Sequence, residues 1–214
     1  MSDIVENQAP SSPTRKRPKP GERRVQILQA LATMLEQPGA ERVTTAGLAA
    51  KLEVSEAALY RHFASKAQMF EGLIDFIETS VFSLINQITA QTPDAAGTHA
   101  APHRQAARLV TMVLQFAEKN PGMARVMVGD ALVFENDRLQ QRMSQFFDKI
   151  EAALRQCLRG AALENGSAQP TVDAQISASV LTSFMVGRLQ RYARSGFKRA
   201  PSENLEACLK LITV

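Results

Sequence analysis

Apolar residues recur every three or four positions along most of this chain, and no stretch alternates with period two, so the pattern predicts helices and no strands. Ile27, Leu28, Leu31, Met34 and Leu35 share one face and place a first helix over 22–37, ended by Pro38 and Gly39. Two short helices follow. Thr44 or Thr45 supplies an N-cap oxygen to the first, whose apolar face is Leu48, Ala49 and Leu52. Ser55 caps the second, with Glu56 in the first turn, where negative charge is favoured. Leu59 and Phe63, with Ala57 and Ala58, carry the packing, while Tyr60, Arg61 and His62 point away from it.

Ser65 and Gln68 form a capping-box pattern at the start of a long helix reaching about residue 91. Its buried stripe is Phe70, Leu73, Ile74, Ile77, Val81, Leu84 and Ile88. Phe76 and Phe82 lie roughly 120° to either side of that stripe, so either a broad bundle covers both or one faces a partner. Residues 92–103 read as a surface loop. His99 and His103 stand there at metal-ligand spacing, but Pro102 lies between them and no third ligand is evident. Further helices are expected over 104–119, 123–128, 137–159, from 171 onward, and near 202–211, with a loop over 160–170. Ala174, Ser177, Ala178, Ser179, Ser183 and Gly187 give the 171 helix the small residues that permit close approach, suiting a subunit interface or a tight contact within one chain.

Charge adds a direction. Residues 15–24 hold six basic residues against one acid, a local +5 beside a total of +4, so the rest of the chain is close to neutral. With its prolines and few apolar residues, the segment 1–21 reads as a disordered basic arm. Beside two short capped helices, such an arm is an electrostatic footprint for phosphates, and Arg15, Lys16, Arg17 and Lys19 are its candidate contacts. The division of labour in 44–63, one helix bracing and the next presenting small and polar side chains, is that of a helix-turn-helix entering the major groove of double-stranded DNA. Ser55, Glu56, Ala57 and Tyr60 are placed to meet base edges or the sugar-phosphate. Glu56 suits a cytosine amino group, and Ala57 a thymine methyl. Thr44, Thr45, Tyr60, His62 and Lys66 are placed to hold phosphates.

The expected organisation is therefore an all-α chain. A basic arm over 1–21 precedes a three-helix DNA-binding unit over 22–64 and a helical dimerisation and partner-binding domain over 65–214. Enzyme chemistry finds no support: no Gly-rich phosphate loop, nucleophile elbow, HExxH or CxxC occurs, and no cofactor or metal is expected. Two cysteines, Cys157 and Cys208, imply no disulfide framework and fit a cytoplasmic protein. The longest uncharged runs fall short of a membrane span, so no membrane partner is expected.

The Thr44-Thr45 entry, the Leu59–Phe63 run and Ser65-Lys66 resemble the helix-turn-helix of TetR-family regulators, which implies a TetR-like fold. Glu53 departs from the family at a turn position where Gly is usual, and a left-handed backbone there would cost about 1 kcal/mol. Most such proteins are ligand-responsive transcriptional repressors, and that is the alternative reading here. Four further segments, Glu118–Gly122, Ala131–Gln140, Ile150–Gln156 and Arg194–Lys198, are similar to the nucleoid occlusion factors within this family. That resemblance implies a nucleoid-associated homodimer on palindromic sites, often two dimers per site, which captures the C-terminal tail of the division protein FtsZ and breaks up its polymers. It also implies a tail-binding groove between the fourth and fifth helices, with Phe76 exposed and Lys119 and Asn120 on its flank.

Overall fold

The computed structural model describes residues 21–37, 43–90 and 102–212, and among them every regular element is helical. The arm contacts Arg15, Lys16, Arg17 and Lys19, and also His99, lie outside the described residues. Helix α1 (Glu22–Leu35) buries Ile27, Leu31 and Leu35 against α2 (Thr45–Lys51) and α4 (Lys66–Thr89). Between α2 and α4 lies α3 (Glu56–Tyr60), whose Leu59 is buried together with Phe63 just beyond it. These helices close over one end of a hydrophobic core that continues into the rest of the chain.

The body is built from α4, α5 (Pro102–Lys119), α6 (Pro121–Met127), α7 (Asp137–Glu164) and α8 (Pro170–Arg194), with α9 (Leu205–Ile212) against α8. A 3-10 turn, Asp130–Leu132, links α6 to α7. Helix α5 starts two residues earlier than its charge pattern suggested, so His103 is helical rather than part of a loop. Proline at the first helical position loses nothing, because that N–H has no helical partner in any case. Helix α7 continues through Gly160 to Glu164 instead of stopping at 159. Buried Ala161 holds the extra turn on the core, offsetting the roughly 1 kcal/mol a mid-helix glycine costs.

The α4 stripe also differs from a simple helical wheel. Met69 and Ile85 are buried, Leu84 is 37% exposed and Ile88 is half-buried. A row of opposite charges bolts α4 to α7. Arg142 bonds Asp75 at 2.5 Å and Glu78 at 2.6 Å, and Arg138 pairs with Glu71. Phe82 is half-buried there, its ring edge-on to Phe146 at 5.6 Å.

The DNA-binding unit and the body meet at a backbone contact. Gly122 of α6 lies so close to α1 that a Cβ built on it would stand 1.9 Å from the Ala32 carbonyl oxygen. The residues just before α6 are anchored on the opposite side. The Tyr192 hydroxyl donates to the Glu118 carbonyl at 3.1 Å, and the Ser202 hydroxyl donates to the Glu118 carboxylate at 2.5 Å. Burial, with Glu118 and Glu36 nearby, pushes the Tyr192 phenol up, so it remains a donor.

Candidate nucleic-acid interface and partner edge

The two caps expected in the helix-turn-helix are present. Thr44 Oγ accepts from the Gly47 amide at 3.1 Å, and Ser55 Oγ accepts from the Ala58 amide at 3.3 Å. The start of α4 is capped as well: the Gln68 amide donates to Ser65 Oγ, and Gln68 Oε1 accepts from the Ala64 amide at 2.9 Å, one residue before the N-cap amide that a capping box engages. Between α2 and α3 the chain turns through Glu53 at φ +53°. The Val54 amide donates to the Ala49 carbonyl and the Glu53 amide to that of Ala50, the paired bonds of a Schellman stop. Glu53 therefore adopts the strained left-handed conformation that its family's glycine would adopt freely.

The reading face of α3 is open. Ser55, Glu56, Ala57, Tyr60 and His62 are exposed, with Tyr60 44% accessible. Ala57 contributes nothing to the core, contrary to its expected share of the packing, because it sits on the outer side of a helix one turn long. Thr45 has a partner inside the motif: its hydroxyl donates to the Glu56 carboxylate at 2.6 Å, pinning α2 to α3. That bond orients Glu56, which remains exposed. Lys66 pairs with Glu135 at 2.5 Å, which ties the start of α4 to the turn before α7. Its ammonium, still partly exposed, is shared with this carboxylate.

One contributor carried no local signal. Arg24 of α1 donates to the His62 carbonyl at 2.5 Å, and its guanidinium lies 4.1 Å from the centre of the Phe63 ring. It braces the end of the recognition helix from 38 residues away, which is why no spacing rule within the motif finds it.

On the body, Phe76 is 50% exposed while Phe82 packs inward, so the two off-stripe aromatics of α4 have different fates. Helix α5 runs antiparallel beside α4: Gln105 near its start donates to the Ile88 carbonyl at 3.1 Å, near the end of α4. Its outer face carries Arg104, Arg108, Gln115 and Lys119, all exposed. Asn120 is half-buried and turned inward, its amide donating to the Phe116 carbonyl at 2.7 Å, so it closes α5 rather than reaching outward.

Helix α8 buries Ala174, Ala178, Leu181 and Met185 on one side and leaves Val172, Ile176 and Val180 exposed on the other. These three stand four residues apart, one apolar seam on the outside of the α7–α8 pair. Nothing lies within 4 Å of where a Gly187 Cβ would be, so this helix presents an open face.

The comparisons with known proteins agree with this geometry. A model of the tetR family of bacterial regulatory proteins matches residues 27–73, and a model described as the SlmA-like tetracyclin repressor-like C-terminal domain matches 104–214. The nucleoid occlusion factor SlmA of Photobacterium profundum is 48% identical over 192 residues, covering 89% of this chain and 94% of that relative. The SlmA of Vibrio cholerae is 49% identical over 193 residues, with the same coverage. The chain belongs to the SlmA family of nucleoid occlusion factors. Its fold is the TetR fold. The fatty acid degradation regulator FadR of Bacillus halodurans superposes with a TM-score of 0.70 at 16% identity, over 92% of this chain and 97% of that one. PfmR of Thermus thermophilus gives 0.67 at 22% identity, over 87% and 96%. SlmA-family membership thus makes this a helix-turn-helix DNA-binding protein, and no catalytic family matches it. Among the described residues no helix is long and apolar enough to cross a membrane.

Proposed function

We propose that this SlmA-family chain acts as a homodimer, in pairs on palindromic chromosomal sites, and there captures the C-terminal tail of FtsZ and antagonises its polymerisation. Division is thereby blocked over the nucleoid, on which the protein sits in the cytoplasm. In this reading Ser55, Glu56, Ala57 and Tyr60 meet the bases, while Thr44, Thr45, His62 and the basic arm meet phosphates. Removing residues 1–21 then weakens binding on all sequences and flattens the salt dependence.

Dimerisation is supported by the Val172, Ile176 and Val180 seam. Paired with its copy it makes a four-helix bundle of α7 and α8 from each chain, placing two recognition helices on one face of the duplex. The observation that carries the partner reading is Phe76. A large aromatic, half exposed, stands on α4, and the antiparallel α5 brings its C-terminal end, with exposed Lys119, toward that level of the helix pair. An apolar anchor with a cation at the same end of the pair suits an acidic peptide with a hydrophobic side chain. A ligand-gated repressor is the less favoured reading, since Val81, Val113, Phe146, Ile150 and Leu181 are each fully buried and leave no open space beside them.

The test is sedimentation of FtsZ polymers with the protein, with and without a selected palindromic duplex. The expected result is loss of polymer only when DNA is present, and restoration of polymer by Phe76→Ser at unchanged DNA affinity. Polymers that persist at saturating DNA would overturn the FtsZ reading and leave DNA binding standing.

A further inference from the structure

A second surface stands apart from α3, from Phe76 and from the α8 seam. Where α1, α6, the 3-10 turn and the end of α8 meet, a cleft of about 600 Å³ opens. That volume lies within the range of binding sites. Two of the segments that single this family out, Ala131–Gln140 and Arg194–Lys198, converge on it although they lie far apart in sequence.

Three observations mark the cleft as more than a crease. Val133 and Phe134, adjacent in sequence, are 59% and 61% exposed at its lip. Single exposed apolar residues are ordinary, but a contiguous apolar patch marks an interaction site. The opposite wall is Phe197, held at φ +65°. A bulky residue in the left-handed region costs on the order of 1 kcal/mol and persists only where its surroundings demand it. Here they do: the Phe197 ring meets Tyr192 edge-on at 5.1 Å, and the Arg125 guanidinium lies 5.0 Å from its centre. The third observation is charge. Arg125 and Arg194 line the cleft, and Arg191, Lys198 and Arg199, all exposed, lie in the same segment as Arg194, which holds no carboxylate over 191–199. Glu36 and Asp130 also line the cleft, both half-buried.

We propose that this cleft docks an acidic protein segment bearing an aromatic or large aliphatic side chain. The apolar side chain enters between Phe134 and Phe197, and flanking carboxylates meet Arg194 and Lys198. Glu36 and Asp130 accept from the backbone amides that an extended peptide brings with it. A nucleic acid would set an unbroken row of phosphates against these two carboxylates, whereas a peptide's carboxylates are spaced side chains that can stand at Arg194 and Lys198.

The probe is a fluorescein-labelled six-residue peptide, DEFLDD, titrated by fluorescence anisotropy, with and without duplex DNA, into the full-length Phe76→Ser protein, in which the α4 edge that also suits an acidic peptide is removed. Saturable binding is expected, weakened at least about tenfold by Phe134→Ser and by Arg194→Glu, the scale for removing one anchor of an interface. Replacing the peptide's phenylalanine with serine abolishes it. Both protein substitutions are at exposed positions, and a circular dichroism melt confirms folding. Absence of saturable binding overturns the proposal. So does binding that survives the added Phe134→Ser, or tighter binding of an oligothymidylate at the same residues. Because every titration is made without Phe76, failure of the FtsZ reading and failure of this one are distinguishable.

Discussion

The α2–α3 and α7–α8 pairs are each two packed helices joined by a short connection, yet they are held by different forces. Helices α2 and α3, seven and five residues long, bury only Leu48, Ala49 and Leu59. Their geometry rests on backbone chemistry: two side-chain caps, a left-handed stop at Glu53 and the Thr45–Glu56 hydrogen bond. Helices α7 and α8, at 28 and 25 residues, bury sixteen side chains between them and still keep an apolar seam on the outside. The outward faces differ accordingly. One is small, polar and hydrated, suited to a contact that forms and breaks with DNA. The other is dry enough to be covered permanently.

The largest expected effect breaks the apolar side of this comparison. Ile176→Glu with Val180→Glu should convert the dimer to a monomer by analytical ultracentrifugation. Affinity for a palindrome should fall by at least about 100-fold, because two linked half-sites become one. If the double variant stays dimeric, the seam is not the interface. On the polar side, Ser55→Ala should cost about 1 kcal/mol of stability by denaturant unfolding, the usual loss for an N-cap. No change in the midpoint would mean that the cap bond contributes nothing. The smallest effect has the opposite sign. Glu53→Gly should stabilise the protein by roughly 0.5–1 kcal/mol, relieving the left-handed strain at the expense of a more flexible unfolded chain. A lower midpoint would show that the Glu53 side chain contributes more than its backbone costs.

How legible each region was in the sequence follows the same division. Caps and stops act within four residues, so Thr44, Ser55, the Ser65–Gln68 pair and the strain at Glu53 could be read locally, the last from its departure from a glycine position. Contacts between distant segments could not. Phe76 and Phe82 are symmetric on their own helix, and what separates them is Phe146, which covers only Phe82. The partner of Lys66, Glu135, lies 69 residues on, so their ion pair has no local signal. Asn120 turned inward because closing α5 satisfied its amide before any partner could. The end of α7 was obscured by Gly160, whose local cost is outweighed by burial of Ala161. The cleft between Phe134 and Phe197 has no signature in either segment alone.

The close approach of Gly122 to the Ala32 carbonyl bears on how a palindrome is measured. With backbone against backbone, α1 and α6 have no side-chain cushion between them through which to slide. The reading head is mounted rigidly on the frame. In a dimer joined at α8, the span between the two heads is then a property of the body, and the helical repeat of DNA is matched by the length and tilt of helices that never touch it.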